Sequence, residues 1–167
     1  NIVVNNGSGT SITMSKGTTF STTIEETSYQ YINNEDITSI PKDGVYTFSD
    51  VTLYEGTLVR FKYTVDSTDV DQKFIIPTPN ADTSTLKVSV QNSATDSSSS
   101  NFTLAGGYTG VDSISKVYFI QEGTDGRYEI YFGDGVTGFK LSDGNVITLE
   151  YIVTNKEASN GASVWML

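Results

Sequence analysis

The sequence contains no cysteine and no histidine. Without cysteine there is no disulfide, no thiolate nucleophile and no Cys-ligated zinc. Without histidine there is no Ser-His-Asp triad, no HExxH zinc site and no imidazole general base within the chain. Charge is sparse as well: 18% of residues are charged, and 20 acids against 10 bases leave a net charge of −10. A surface this acidic repels phosphate backbones and anionic lipid, so neither nucleic acid nor membrane is an expected partner. No apolar run approaches the ~20 residues that span a bilayer, and no signal peptide is visible.

What is present is a strand-forming palette. Ten Tyr and eight Phe stand among abundant Thr, Val and Ile, residues whose branched or flat side chains suit a pleated surface. Period-two alternation recurs. Val59, Phe61, Tyr63 and Val65 oppose Arg60, Lys62 and Thr64. Leu86, Val88 and Val90 oppose Lys87, Ser89 and Gln91. Tyr128, Ile130 and Phe132 oppose Arg127, Glu129 and Tyr131, and Ile147, Leu149, Tyr151 and Val153 oppose Thr148 and Glu150. Each pattern predicts a strand with one buried face. No twelve-residue window carries a helical period; at most one helical turn fits Val111–Ser115.

Turn chemistry separates these runs at Lys42-Asp43-Gly44, Glu55-Gly56 and Thr124-Asp125-Gly126, the last a strong hairpin signal. The polar stretch Ala94–Asn101 reads as a mobile surface loop. Ile75–Leu86 holds two of the three prolines and reads as a connector. The expected fold is all-β, with mostly antiparallel sheets packed as a sandwich or barrel and with long Gly-rich and Ser-rich loops. Its expected division is an N-terminal β-unit over residues 1–80 and a C-terminal one over 81–167, or one continuous domain. The chain begins at Asn1 and ends in an apolar Trp165-Met166-Leu167, which reads as a piece of a longer protein.

Residues 133–138, Gly-Asp-Gly-Val-Thr-Gly, satisfy the G-x-G-x-x-G spacing of dinucleotide sites, and Glu157 lies roughly 20 residues on. That motif requires a helix after the last glycine to receive the pyrophosphate. Here FKLSDGN leads directly to another strand, and Asp134 places a negative charge beside the phosphates. The expected role of Gly133, Gly135, Gly138 and Gly144 is to bend backbone between two strands, with Phe139 and Leu141 pinning the loop to the sheet or reaching a neighbour.

The same residues carry a resemblance. YFGDGVTGFKLSDGNVITLEYIV resembles the F-G-D-G-V-x-G…G…Y signature of baseplate J-like proteins, wedge components of contractile phage tails and related injection machines. KGTTFSTTI, Lys16–Ile24, is similar to the family's upstream G-T-x-F segment. YEGTLVRFKYTVD, QKFIIPTPNADTSTLKVSVQ and KVYFIQEGTDGRYEIYFGDG most resemble the large wedge subunits of T-even-type tails, and EASNG follows the last strand where the family often has a Gly-Asn turn. The likeness runs from Lys16 to Gly161; the first fifteen residues and the serine run carry none of it. It implies a non-enzymatic structural subunit of the virion's tail baseplate, assembled in the host cytoplasm. Its implied partners are other baseplate wedge subunits and copies of itself, in a ring around the tail hub that rearranges on firing.

Other constellations are weaker. Asp66, Asp69 and Asp71 lack the spacing of an EF-type calcium loop. Asp82–Thr85, DTST, lacks the glycine of an aspartic-protease D-T-G. Tyr29, Tyr31, Tyr54, Tyr108, Tyr118 and Tyr131 suit core or cross-strand pairs; several exposed on one face would instead suit a carbohydrate-binding or adhesin module, the alternative reading. No catalytic, cofactor-binding or metal residue is assigned, and no cofactor is expected.

Overall fold

The computed structural model describes residues 1–5, 9–24, 27–123 and 125–154. The described residues form fourteen strands and no helix, so the expected all-β class holds. Val111–Ser115 makes a turn closed by the Ser115 N–H on the Asp112 carbonyl (3.2 Å), not a helical turn. The turn Thr124-Asp125-Gly126 is described from Asp125 on; Glu157, EASNG and Trp165–Leu167 lie outside the described residues. Among the described residues two compact units emerge: Asn1–Leu58 joined by residues 152–154, and Val59–Tyr151.

The first unit holds β1 (Ile2–Asn5), β2 (Ile12–Met14), β3 (Thr19–Ile24), β4 (Thr27–Ile32), β5 (Ile37–Ser39), β6 (Val45–Phe48) and β7 (Tyr54–Glu55). All its pairings are antiparallel: β1 with β6, β2 with β5, and β4 between β3 and β7. Asp43 and Gly44, both at positive φ, turn the chain between the mutually bonded Lys42 and Val45, the geometry of a two-residue hairpin turn. Met14, Phe20, Tyr29, Tyr31 and Phe48 form the core, with Ile2, Val4, Ile37, Val51 and Leu53 packed against it. The register Phe20↔Tyr31 and Thr22↔Tyr29 puts three of these core side chains, with the buried Thr22, on one face of the β3–β4 hairpin.

The second unit is built on one seven-stranded sheet. Its strands are β8 (Thr57–Thr64), β9 (Phe74–Ile75), β10 (Ala81–Gln91), β11 (Ser99–Leu104), β12 (Val117–Glu122), β13 (Tyr128–Phe132) and β14 (Val146–Val153), in the order β8-β14-β10-β11-β12-β13-β9. Residues 75–86, which the prolines mark as a connector, run inside this unit at the end of β9 and the start of β10. One pairing, β11 with β12, is parallel, Thr103 lying opposite Val117.

The sheet curls until its two edge strands nearly meet. No ladder joins β8 to β9; side chains bridge them. The Tyr63 hydroxyl donates to the Ile75 carbonyl (2.6 Å), and the Gln72 amide donates to the Thr64 carbonyl (2.8 Å). Aromatic rings continue the seam: Phe61, Tyr63, Phe74, Phe132, Phe102 and Phe139 stack edge-to-face in sequence, with centroids 5.0–6.1 Å apart. Each such pair contributes about 0.5–1.5 kcal/mol beyond its burial. The sheet thus approaches barrel-like closure through side chains rather than through a backbone ladder.

The alternating patterns place most inward residues correctly. Leu86, Val88, Val90 and Ile130 are buried, while Lys87 and Tyr131 are exposed. Strand β14 departs from its pattern: Val146, Glu150 and Ile152 are buried along with Ile147, Leu149 and Tyr151. Glu150 does not face solvent. Its side chain is 9% exposed and accepts two bonds from the Arg60 guanidinium, at 2.6 and 3.2 Å. The serine run departs too. Ser99, Ser100 and Asn101 belong to β11 and pair with Gln91, Val90 and Ser89. Only the stretch before them is a loop, and it is tied down: Asp96 accepts from the Ser98 N–H and from the Asn92 side chain, both at 2.9 Å.

Candidate functional site

The glycine loop sits between β13 and β14 and packs against itself. Gly133 lies so close to Gly138 that a Cβ there would stand 2.1 Å from the Gly138 carbonyl carbon. Gly135, at φ 90°, donates its N–H to the Gly138 carbonyl (3.1 Å). Asp134 closes the tip, its Oδ1 accepting from the Val136 and Thr137 N–H groups, both at 2.8 Å. Those bonds, Thr137 foremost, hold its carboxyl below the ordinary aspartate value. The Gly138 N–H donates to Asp112 (2.9 Å) and the Phe139 N–H to Ser115 (2.8 Å), so the loop is strapped to the 112–115 turn. Phe139 packs its ring on Phe102. Lys140 pairs back beside Gly133, and the chain enters β14 with no intervening helix. The aspartate carboxylate occupies the amide donors that a phosphate would need, and the glycines are filled by each other's backbone. The loop is a brace, not a nucleotide cradle.

Gly144 and Asn145 make a second fastening. The Val65 N–H donates to the Asn145 carbonyl (2.8 Å), the Gly144 N–H donates to the Val65 carbonyl (2.9 Å), and Asp143 accepts from the Ser67 N–H (2.9 Å). This ties the approach to β14 to the end of β8.

The other acids of interest are turn-formers. Asp66, Asp69, Asp82, Asp96, Asp112, Asp125 and Asp134 each accept from the N–H two residues onward, the pattern by which an aspartate replaces a backbone turn bond. Thus Asp66 serves Thr68 and Asp82 serves Ser84. No three acids converge on a point among the described residues.

The tyrosines divide. Tyr29, Tyr31 and Tyr118 are core, and Tyr54 is half-buried in the first unit. Tyr108 and Tyr131 are exposed and border the same cleft on the outer face of β12 and β13. There Phe119 lies directly opposite Tyr131, and the Tyr108 ring tilts over Phe119 with centroids 4.9 Å apart. With Gln121, Asp134 and Thr137 these rings line an open cleft of about 510 Å³ beside the glycine loop. The Glu129 carboxylate, as hydrogen-bond partner, raises the Tyr131 phenol above its ordinary value. Ile114 on the strapped turn and Val136 at the loop tip are 75% and 76% exposed. Sequence reading missed Phe119, Ile114 and Val136. The signal for Phe119 was its phase, since it alternates with the buried Tyr118 and must face outward.

Fold and site together define a β-structured module that offers a stiff, partly apolar surface. Residues 57–165 match the family model described as the third domain of bacteriophage baseplate wedge protein gp6. The chain belongs to this family. It is also similar to baseplate wedge protein gp6 of Enterobacteria phage T4, at 27% identity over 169 aligned positions, covering 90% of this chain. The chain spans about a quarter, 24%, of that relative's length.

Proposed function

We propose that this chain is a structural, non-catalytic part of a contractile-tail baseplate wedge. It works by assembly with other wedge subunits and copies of itself around the tail hub, in the virion after assembly in the host cytoplasm. Family membership over residues 57–165 carries this reading. The face around the glycine loop supports it: Ile114 and Val136 expose apolar side chains on segments that the loop bonds hold rigid, and a preorganised surface loses little entropy on docking. Val136→Asp and Ile114→Asp should leave melting temperature unchanged and lower co-assembly with wedge partners, read by analytical ultracentrifugation. Full assembly by the double variant would contradict this face as the contact.

The aromatic cleft favours a second reading, a carbohydrate-binding module. Tyr108, Phe119 and Tyr131 offer ring faces, and Gln121, Asp134 and Thr137 offer polar groups. A glycan array separates the two. Saturable binding lost in Tyr108→Ala supports the second; a silent array with intact assembly supports the first.

A further inference from the structure

The first unit holds a small polar cavity of about 110 Å³, lined by Asn33, Asn34, Glu35, Ile37, Asp50, Thr52 and Tyr54. It opens where the β4–β7 ladder ends at the pair Ile32↔Tyr54, so that the chain leaving β4 and the chain entering β7 splay apart. Asn33 is 1% exposed, and three of its four polar groups are bonded. Its N–H donates to Thr18, its carbonyl accepts from Gly17, and its Nδ2 donates to the Glu35 carbonyl at 2.6 Å. The fourth, Oδ1, has no partner; it is the one such buried side-chain atom among the described residues. The amide cannot be flipped to satisfy it, because Oδ1 would then face the Glu35 carbonyl oxygen. A buried amide oxygen without a donor is costly enough that native structures supply one, or a cation.

We infer that this cavity is a calcium-class cation site, with Asn33 Oδ1 as its buried ligand and the Glu35 and Asp50 carboxylates as its charge. The lining is oxygen-rich and lacks nitrogen or sulfur ligands, the donor set of a hard cation. Thr52 adds a hydroxyl at the rim. Asp50 sits at φ 54°, a conformation uncommon outside glycine. Two carboxylates and a partly open cavity suit a flexible, water-completed shell. That favours calcium over magnesium, with a dissociation constant on the order of 10⁻⁴–10⁻³ M. Solvent alone is the competing occupant: a water could donate to Oδ1 without any cation.

The test is a titration of the full chain with calcium chloride after chelation, followed by melting temperature and by tyrosine-sensitised terbium luminescence. Calcium at about 100-fold its dissociation constant should raise the melting temperature by roughly 5–10 °C, magnesium by far less, and calcium should displace bound terbium. Glu35→Gln with Asp50→Asn keeps the shape of the cavity and should abolish both responses. Asn33→Ala removes the buried ligand and should weaken binding at least tenfold. A melting temperature indifferent to calcium, or a response that survives in the Glu35→Gln, Asp50→Asn variant, would overturn the site and leave water as the partner of Asn33.

Discussion

Replacing Gly133 by alanine tests the glycine loop most sharply, because the neighbour is backbone. The added methyl would lie 2.1 Å from the Gly138 carbonyl carbon, 2.2 Å from its oxygen and 2.4 Å from its Cα. Ordinary contact between carbons is about 3.5–4.0 Å, so the two strands of the loop must separate by more than 1 Å. That movement breaks the Gly135–Gly138 bond and pulls Gly138 from Asp112. Overpacking costs about 1–3 kcal/mol, and two bonds add about 1 kcal/mol each, for a loss of about 3–5 kcal/mol. For a chain of this size the melting temperature should fall by roughly 6–20 °C, measured by differential scanning calorimetry. Gly135→Ala is the internal comparison. Its Cβ meets only the Lys140 side chain, at 3.5 Å, and its penalty is the positive φ of 90°, about 1–2 kcal/mol. Equal melting temperatures for the two variants, or a Gly133→Ala drop under about 2 °C, would refute the close-packed loop.

Further outcomes follow from other contacts. Gly135→Val should cost about 1–2 kcal/mol of stability and impair wedge assembly, read by melting temperature and sedimentation. Tyr63→Phe removes the hydroxyl that joins β8 to β9 and should cost about 1 kcal/mol in a urea melt. Arg60→Ala leaves the buried Glu150 without its guanidinium; because Arg60 is more than half exposed, the expected loss is about 1–2 kcal/mol rather than that of a fully buried pair. Asp66, Asp96, Asp112, Asp125 and Asp134 have folded values depressed by hydrogen bonds. Their contribution is therefore complete above the unfolded aspartate value of about 4 and is lost as pH falls through the folded values. Melting temperature should hold from neutral pH to about pH 5 and drop below about pH 4.

Much of the second unit is legible in its residues. Leu86, Val88 and Val90 alternate with Lys87 because β10 has one face inside the curled sheet, and the same logic holds for β13. It fails for β14 because both faces of that strand are buried, so Glu150 enters a buried position, where the Arg60 guanidinium partners its carboxylate. Period-two reasoning sees one side of a strand and is blind to what a neighbouring layer covers. Serine composition misleads for the same reason: Ser99 and Ser100 become strand because β10 offers its backbone groups, not because serine favours sheet. The absence of a helix after Gly138 was readable from FKLSDGN. The cleft was not, since Tyr108 reaches Phe119 only through the crossover between the parallel strands β11 and β12. Nor was the cavity at Asn33, whose neighbours come from two segments joined by the β4–β7 pairing.

The central claim is that a rigid, self-packed glycine loop presents a face for protein contact. Its most direct measurement is photo-crosslinking from a reactive side chain placed at Val136 in assembled baseplates, with a second probe at the exposed Val70 as reference. The account predicts crosslinks from position 136 to a neighbouring subunit, appearing only on assembly and exceeding those from position 70. A position 136 that stays uncrosslinked in intact baseplates would contradict it.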